Sequence, residues 1–230
     1  GPAGSLIHFV NAIAKGIEDE FPNVAIETLA YLYTRKAPRV KTRHNVTVRL
    51  CSYECDFLHP LDHINNRSFG DDVKAWARIC KRLYIWDYVT NFENYVMPHP
   101  NWYTLGPNIE FFVKNNVKGV FEQGCHQVDG SEMSELRAWV LAKLMWNPAR
   151  NVSALISEFL AGYYGSAATY IDAYMKLVYG TAMAIDFYPG SYLIQRCHKD
   201  RKMGTPAKAG FYLDLAATWD APFLSAAVIL

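Results

Sequence analysis

The chain has almost no charge imbalance: 23 Lys and Arg stand against 22 Asp and Glu in 230 residues, a formal net charge of +1. With both signs interspersed, it offers neither a basic footprint for nucleic acid nor a polybasic patch for a membrane surface. It also lacks an apolar run long enough to span a bilayer, so no membrane insertion is expected. No secretory leader opens it, which excludes little, because neither end reads as a natural terminus. Cysteine is scarce, and the Cys51–Cys55 spacing has no second cysteine or histidine pair with which to complete a zinc site. Neither metal nor cofactor is expected, and the thiols should be free and buried. Internal repeats and low-complexity tracts are missing as well.

What the chain does have is apolar and aromatic mass, 51% hydrophobic residues with 15 Tyr and 6 Trp, enough for a substantial core. Leu6, Ile7, Phe9, Val10, Ile13, Ala14 and Ile17 recur at helical spacing and predict a helix that stops before Pro22. Residues 24–34 read as a buried strand ending in Tyr31 and Tyr33, and 46–54 as a second strand. A helix is predicted over 71–82, with Ser68 as its cap, then a strand from Leu83, a helix over 105–116 and a strand from Val117. Strands reached through helices indicate a parallel sheet. Beyond Gly130 the pattern changes to three helices over 133–146, 152–164 and 167–184. Four parallel strands are half of an eight-stranded barrel. The fold expected is therefore α/β, the C-terminal half of a TIM-type (β/α)8 barrel, followed by an all-α helical region. The corresponding divisions are 1–129 for the half barrel, 130–186 for the helices and 187–230 for a tail.

Two of the strands end in acids. Asp87 closes the Leu83 run between Trp86 and Tyr88, and Glu122 closes the Val117 run ahead of Gln123 and Gly124. Acids at the carboxyl ends of buried parallel strands are how barrels mount catalytic groups, and carboxylates beside rings are how enzymes hold and cleave sugars. The competing reading of each is a partner for loop amides or an ion pair.

Several runs together resemble a known family: 45–55 (NVTVRLCSYEC), 83–92 (LYIWDYVTNF), 119–124 (GVFEQG), 136–148 (LRAWVLAKLMWNP) and 158–167 (EFLAGYYGSA). They resemble domain of unknown function 4838, a family of large, mostly bacterial proteins thought to be glycoside hydrolases distantly similar to α-glucuronidases. The resemblance covers roughly residues 5 to 185. It implies a catalytic TIM-type barrel with an appended helical region, secreted to the periplasm or beyond, and a polysaccharide or oligosaccharide substrate. Against that pattern the first half of the barrel is missing here, and a separate amino-terminal half becomes an expected partner.

Glycoside hydrolysis needs two carboxyl groups, one of them protonated near neutral pH, and an apolar, ring-lined wall achieves that by desolvation. Asp87 and Glu122 are the leading candidates, and Glu54, at the end of the second predicted strand, is the third. Strand alternation sets Trp86 and Tyr88 opposite Asp87. Tyr31, Tyr33 and Arg35 close the first predicted strand, and Arg35 is a candidate grip on a substrate carboxylate, although a solvated loop arginine is the favoured reading. Asn91, Phe92 and Trp102, on the loop after Asp87, are candidates for a stacking platform, with Trp102 equally a cap on the barrel rim. His126 is a candidate for orienting a carboxylate or hydroxyl, with a satisfied loop histidine an equal reading. The alternatives to a glycosidase are a catalytically silent carbohydrate-binding barrel and a structural module of a larger protein.

Overall fold

The computed structural model describes residues 1–184; the tail expected over 187–230, with Cys197, lies outside the described residues. Helix α1 spans Pro2–Ile17 and buries Ala3, Ile7, Val10 and Ala14, one face at three- and four-residue spacing. Phe9 and Ile13, equally apolar, stay exposed. Four strands follow, β1 (Ile26–Ala30), β2 (Val46–Cys51), β3 (Arg82–Tyr88) and β4 (Gly119–Gln123), all parallel and in the sheet order β1-β2-β3-β4. Helices α2 (Arg67–Ile79) and α3 (Leu105–Lys114) carry the crossovers from β2 to β3 and from β3 to β4. The β1–β2 crossover contains only a single 3₁₀ turn, Leu32–Thr34.

β1 is shorter than the sequence suggests. The ring-rich run to Thr34 has strand-like composition, but the backbone turns at Leu32, which takes φ 48°. Thr34 then caps the turn, its hydroxyl and amide both bonded to Tyr31. Tyr31, Tyr33 and Arg35 therefore lie beyond the sheet and do not end its first strand. β2 stops at Cys51, which moves Glu54 off the strand as well. α2 starts at Arg67, four residues earlier than expected, with Asn66 and not Ser68 in the cap position.

The pleat divides the sheet into two unlike faces. Ala30, Val46, Val48, Leu50, Leu83 and Ile85 make one, and each is at most 1% exposed. The strand register extends this face by one more row, in which Asp87 stands opposite Glu122. The other face carries Leu29, Arg49, Tyr84, Trp86 and Phe121, with Leu29 40% and Phe121 44% exposed. Gly119 belongs to that second face. A Cβ there would meet the Tyr84 ring at 2.6 Å, so the close approach of β4 to Tyr84 requires glycine.

The chain divides into two compact units. One holds the sheet and comprises Gly1–Cys55, Leu61–Tyr88 and Glu110–Gln123; the other comprises Asp56–Pro60, Val89–Ile109 and, among the described residues, 124–184. The second unit contains α4 (Ser134–Trp146), α5 (Val152–Tyr164) and α6 (Ala168–Ala184), around Leu136, Val140, Leu144, Leu155, Met175 and Val178. Arg137 is its polar keystone, 2% exposed. It donates to Asn101 Oδ1 at 2.7 Å, His99 O at 2.5 Å and Glu132 Oε2 at 2.8 Å, and also to the Glu132 carbonyl. One buried guanidinium thereby ties the loop after β3 to the loop after β4. Cys51, Cys55 and Cys80 are buried and outside any disulfide, whereas Cys125, expected to be buried with them, is only half-buried. Among the described residues no helix is long and apolar enough to cross a membrane.

Candidate functional site

The acids expected at the strand ends are brought together. Asp87 and Glu122 are register partners across the β3–β4 ladder and point to the same face. Each carboxyl lies within hydrogen-bonding reach of the other, and neither is influenced by a cationic side chain. Burial is the largest influence on both. It pushes Asp87 up to about 6, while donors from Ser52 and the Tyr88 amide hold it back. Glu122 is also raised, well above the ordinary value for its carboxyl, because burial is reinforced by the neighbouring Asp87 charge. Two like charges this close do not both ionise at neutral pH, so the pair retains a proton there. Asp87 is only 2% exposed, and Glu122 Oε2 is sealed from solvent without a hydrogen-bond partner.

The rings form a continuous row on the opposite face. Tyr31 meets Tyr53 edge-on at 5.5 Å, Tyr53 meets Tyr88 at 5.7 Å, Tyr88 stacks with Trp86 at 6.4 Å, and Trp86 meets Phe121 at 4.9 Å. The row crosses the carboxyl end of the sheet. Trp86 Nε1 donates to Gln123 Oε1 at 2.7 Å, and the Arg49 guanidinium lies 5.8 Å from the Trp86 ring and 5.9 Å from that of Phe121. Partly exposed rings with fixed orientation and an adjacent amide and guanidinium suit a ligand that has both apolar faces and hydroxyl edges. Trp86 and Tyr88 do lie opposite Asp87, as alternation requires.

The remaining candidates go elsewhere. Arg35 is neither a solvated loop residue nor free for a substrate. Its guanidinium reaches Glu54 at 2.8 Å, Asp72 at 2.8 Å and Ser68 at 2.6 Å, and its carbonyl accepts from Trp76 Nε1 at 2.6 Å. Glu54 is thus an ion-pair partner. Both residues line a cleft of about 900 Å³ with His8, Tyr33, Lys36 and Arg39. Asn91 organises its own loop, accepting from the amides of Glu93 and Asn94. Trp102 is fully buried, a core residue of the second unit and not a platform. His126, exposed, leans on Phe92 at 6.0 Å in that same unit. Sequence reasoning missed Ser52 and Tyr53, which lie just past β2. Ser52 is a small residue without a motif around it, and its link to Asp87 spans 35 residues.

The described residues thus form a parallel α/β sheet with a buried acid pair on one face and a row of rings on the other, both toward the carboxyl end of its strands. The chain belongs to the family described as Domain of unknown function (DUF4838), which matches residues 1–176. No curated protein and no solved structure matches it.

Proposed function

We propose that the chain is part of a glycoside hydrolase, the C-terminal half of a TIM-type barrel whose acid chemistry resides in Asp87 and Glu122. One observation carries this reading: two buried carboxyls in register on adjacent parallel strands, both pushed up by burial, at the sheet end that also bears the rings. In such a reaction the acid gives its proton to the leaving oxygen as the glycosidic C–O bond breaks. Water then adds at the anomeric carbon, and its proton returns to a carboxylate. Carboxyls in mutual contact are too close to straddle a glycosidic bond, which needs about 5–9.5 Å between them. The pair therefore works as one proton-donating unit, and the opposing carboxylate comes from the half of the barrel outside this chain. An α-glucuronidase-like substrate, a periplasmic or extracellular location and pairing with an amino-terminal barrel half belong to the same proposal.

A second reading is favoured by the position of the acids. They lie on the sheet face away from the rings, and Asp87 is almost fully buried. A sugar stacked on Trp86 and Phe121 would be held without being cleaved, as in a carbohydrate-binding barrel.

The deciding experiment joins the chain to its amino-terminal barrel half and screens aryl glycosides and glucuronoxylan oligosaccharides, with binding measured alongside. The hydrolase reading expects turnover that Glu122→Gln abolishes while binding persists, with Trp86→Ala raising KM. Binding lost in Trp86→Ala, with no turnover in any variant, establishes the second reading.

A further inference from the structure

Asp87 and Glu122 face each other across the β3–β4 ladder, but their surroundings are not alike. Asp87 Oδ1 accepts two hydrogen bonds, one from the Ser52 hydroxyl and one from the Tyr88 amide at 2.9 Å. Ser52 is itself held: it is fully buried, and its amide donates to Trp86 O at 3.0 Å across the β2–β3 ladder. Glu122 Oε2, in contrast, is buried with no donor. A carboxylate that accepts two donors is stabilised in its ionised form, whereas a buried oxygen without a donor is satisfied when it carries the proton itself.

We infer that Ser52 is a positioning residue that fixes where the shared proton sits, holding Asp87 ionised so that Glu122 is the member that carries and donates the proton. The assignment rests on hydrogen bonds alone. Its use in catalysis rests on the glycoside hydrolase reading above. No other group competes. Among the described residues, Asp87 responds to burial, Ser52, the Tyr88 amide and Glu122, and Glu122 responds to burial and Asp87. Arg49 of β2 projects from the opposite face, over Trp86 and Phe121. Cys51, next to Ser52, also belongs to that opposite face, its thiol pushed up to about 11 by burial and therefore neutral.

The test is a carbon-13 titration of the side-chain carboxyls of the chain, which needs no substrate. In the wild type the Asp87 resonance is expected to move through the first of two steps, while Glu122 stays at its protonated position until the second. Ser52→Ala removes a donor from the ionised form and should raise the first step by roughly one to two pH units, the worth of one hydrogen bond to a charged group. Ser52→Thr, which keeps the hydroxyl, should restore it. Should Ser52→Ala fail to fold, Glu122→Gln gives the second measurement. The new amide is again a neutral donor facing Asp87, so Asp87 should titrate near its wild-type first step while the second step disappears; Asp87 titrating well below its wild-type step overturns the assignment. Glu122 ionising first in the wild type, or Ser52→Ala leaving both steps in place, overturns the assignment. Absence of turnover with the titration order intact removes only the hydrolase reading.

Discussion

A carboxyl whose folded pKa is raised weighs against stability only when it is made to ionise. For Asp87 the ordinary value of 3.8 is raised to about 6, and Glu122 is raised well above its ordinary 4.5. The linkage has one sign for both. Their contribution is complete below the unfolded values, near pH 4, and is lost as pH rises through the folded ones. Thermal or urea melts should therefore show stability falling as pH rises from about 4 through 6. Glu122→Gln should make that slope shallower, since it removes one of the two groups that resist ionisation. Arg137 has the opposite exposure to substitution. Arg137→Met strips partners from Glu132, Asn101 and the His99 carbonyl at once, and a buried pair broken on one side costs about 3–5 kcal/mol. Urea unfolding followed by far-UV circular dichroism measures that loss, and a change under 1 kcal/mol would show that the keystone role is wrong. Arg137 also keeps His99 neutral, because its charge adds to burial in lowering the imidazole's proton affinity.

Among the elements, the sheet was legible in the sequence where composition and period agreed. β3 and β4 were expected from Leu83 and Val117, and they begin at Arg82 and Gly119; the three helices of the second unit begin within a residue of their expected starts. β1 was overextended because Tyr31 and Tyr33 have strand-like side chains, whereas what ends the strand is a left-handed backbone at Leu32, which no side-chain pattern signals. The pairing of Asp87 with Glu122 followed from strand order. The fate of Arg35 did not, because its partners Glu54, Ser68 and Asp72 lie 19, 33 and 37 residues away and only the fold assembles them. Gly119 gives an element-level prediction. Gly119→Ala forces the Tyr84 ring aside and should destabilise by about 1–3 kcal/mol, as overpacking does. Tyr84→Ala in the same chain should recover part of that loss, and a double-mutant cycle reads the coupling directly. Strict additivity of the two changes would mean that the ring and the new methyl never meet.

For the whole molecule, the sheet is open. Among the described residues β1 and β4 have no outer partners, so one row of amides and carbonyls on each is left unsatisfied by the ladder. The isolated chain should associate as concentration rises, giving dimers or larger species by sedimentation velocity, and adding the proposed amino-terminal barrel half should suppress that. The same openness bears on rate. On the half-barrel proposal, a site assembled from half of a ring would misplace its substrate, and about 1 Å of misplacement can cost about 10²-fold. The isolated chain is expected to turn over a glycoside at least that much more slowly than the joined halves. A soluble monomer working at ordinary enzymatic rates would refute the half-barrel architecture itself.

The division of the sheet into a sealed face and a ringed face also limits how this sequence can change over generations. In β3, positions 83, 85 and 87 serve one face and 84, 86 and 88 the other, so substitutions can retune the rings without disturbing the acids. Deletions have no such freedom. Losing a single residue before Trp86 would exchange the roles of the positions upstream of it, sending Tyr84 into the sealed layer and Leu83 toward the open side. Length variation among descendants of this sequence should therefore accumulate in the loop after Tyr88 and spare the seven residues of β3.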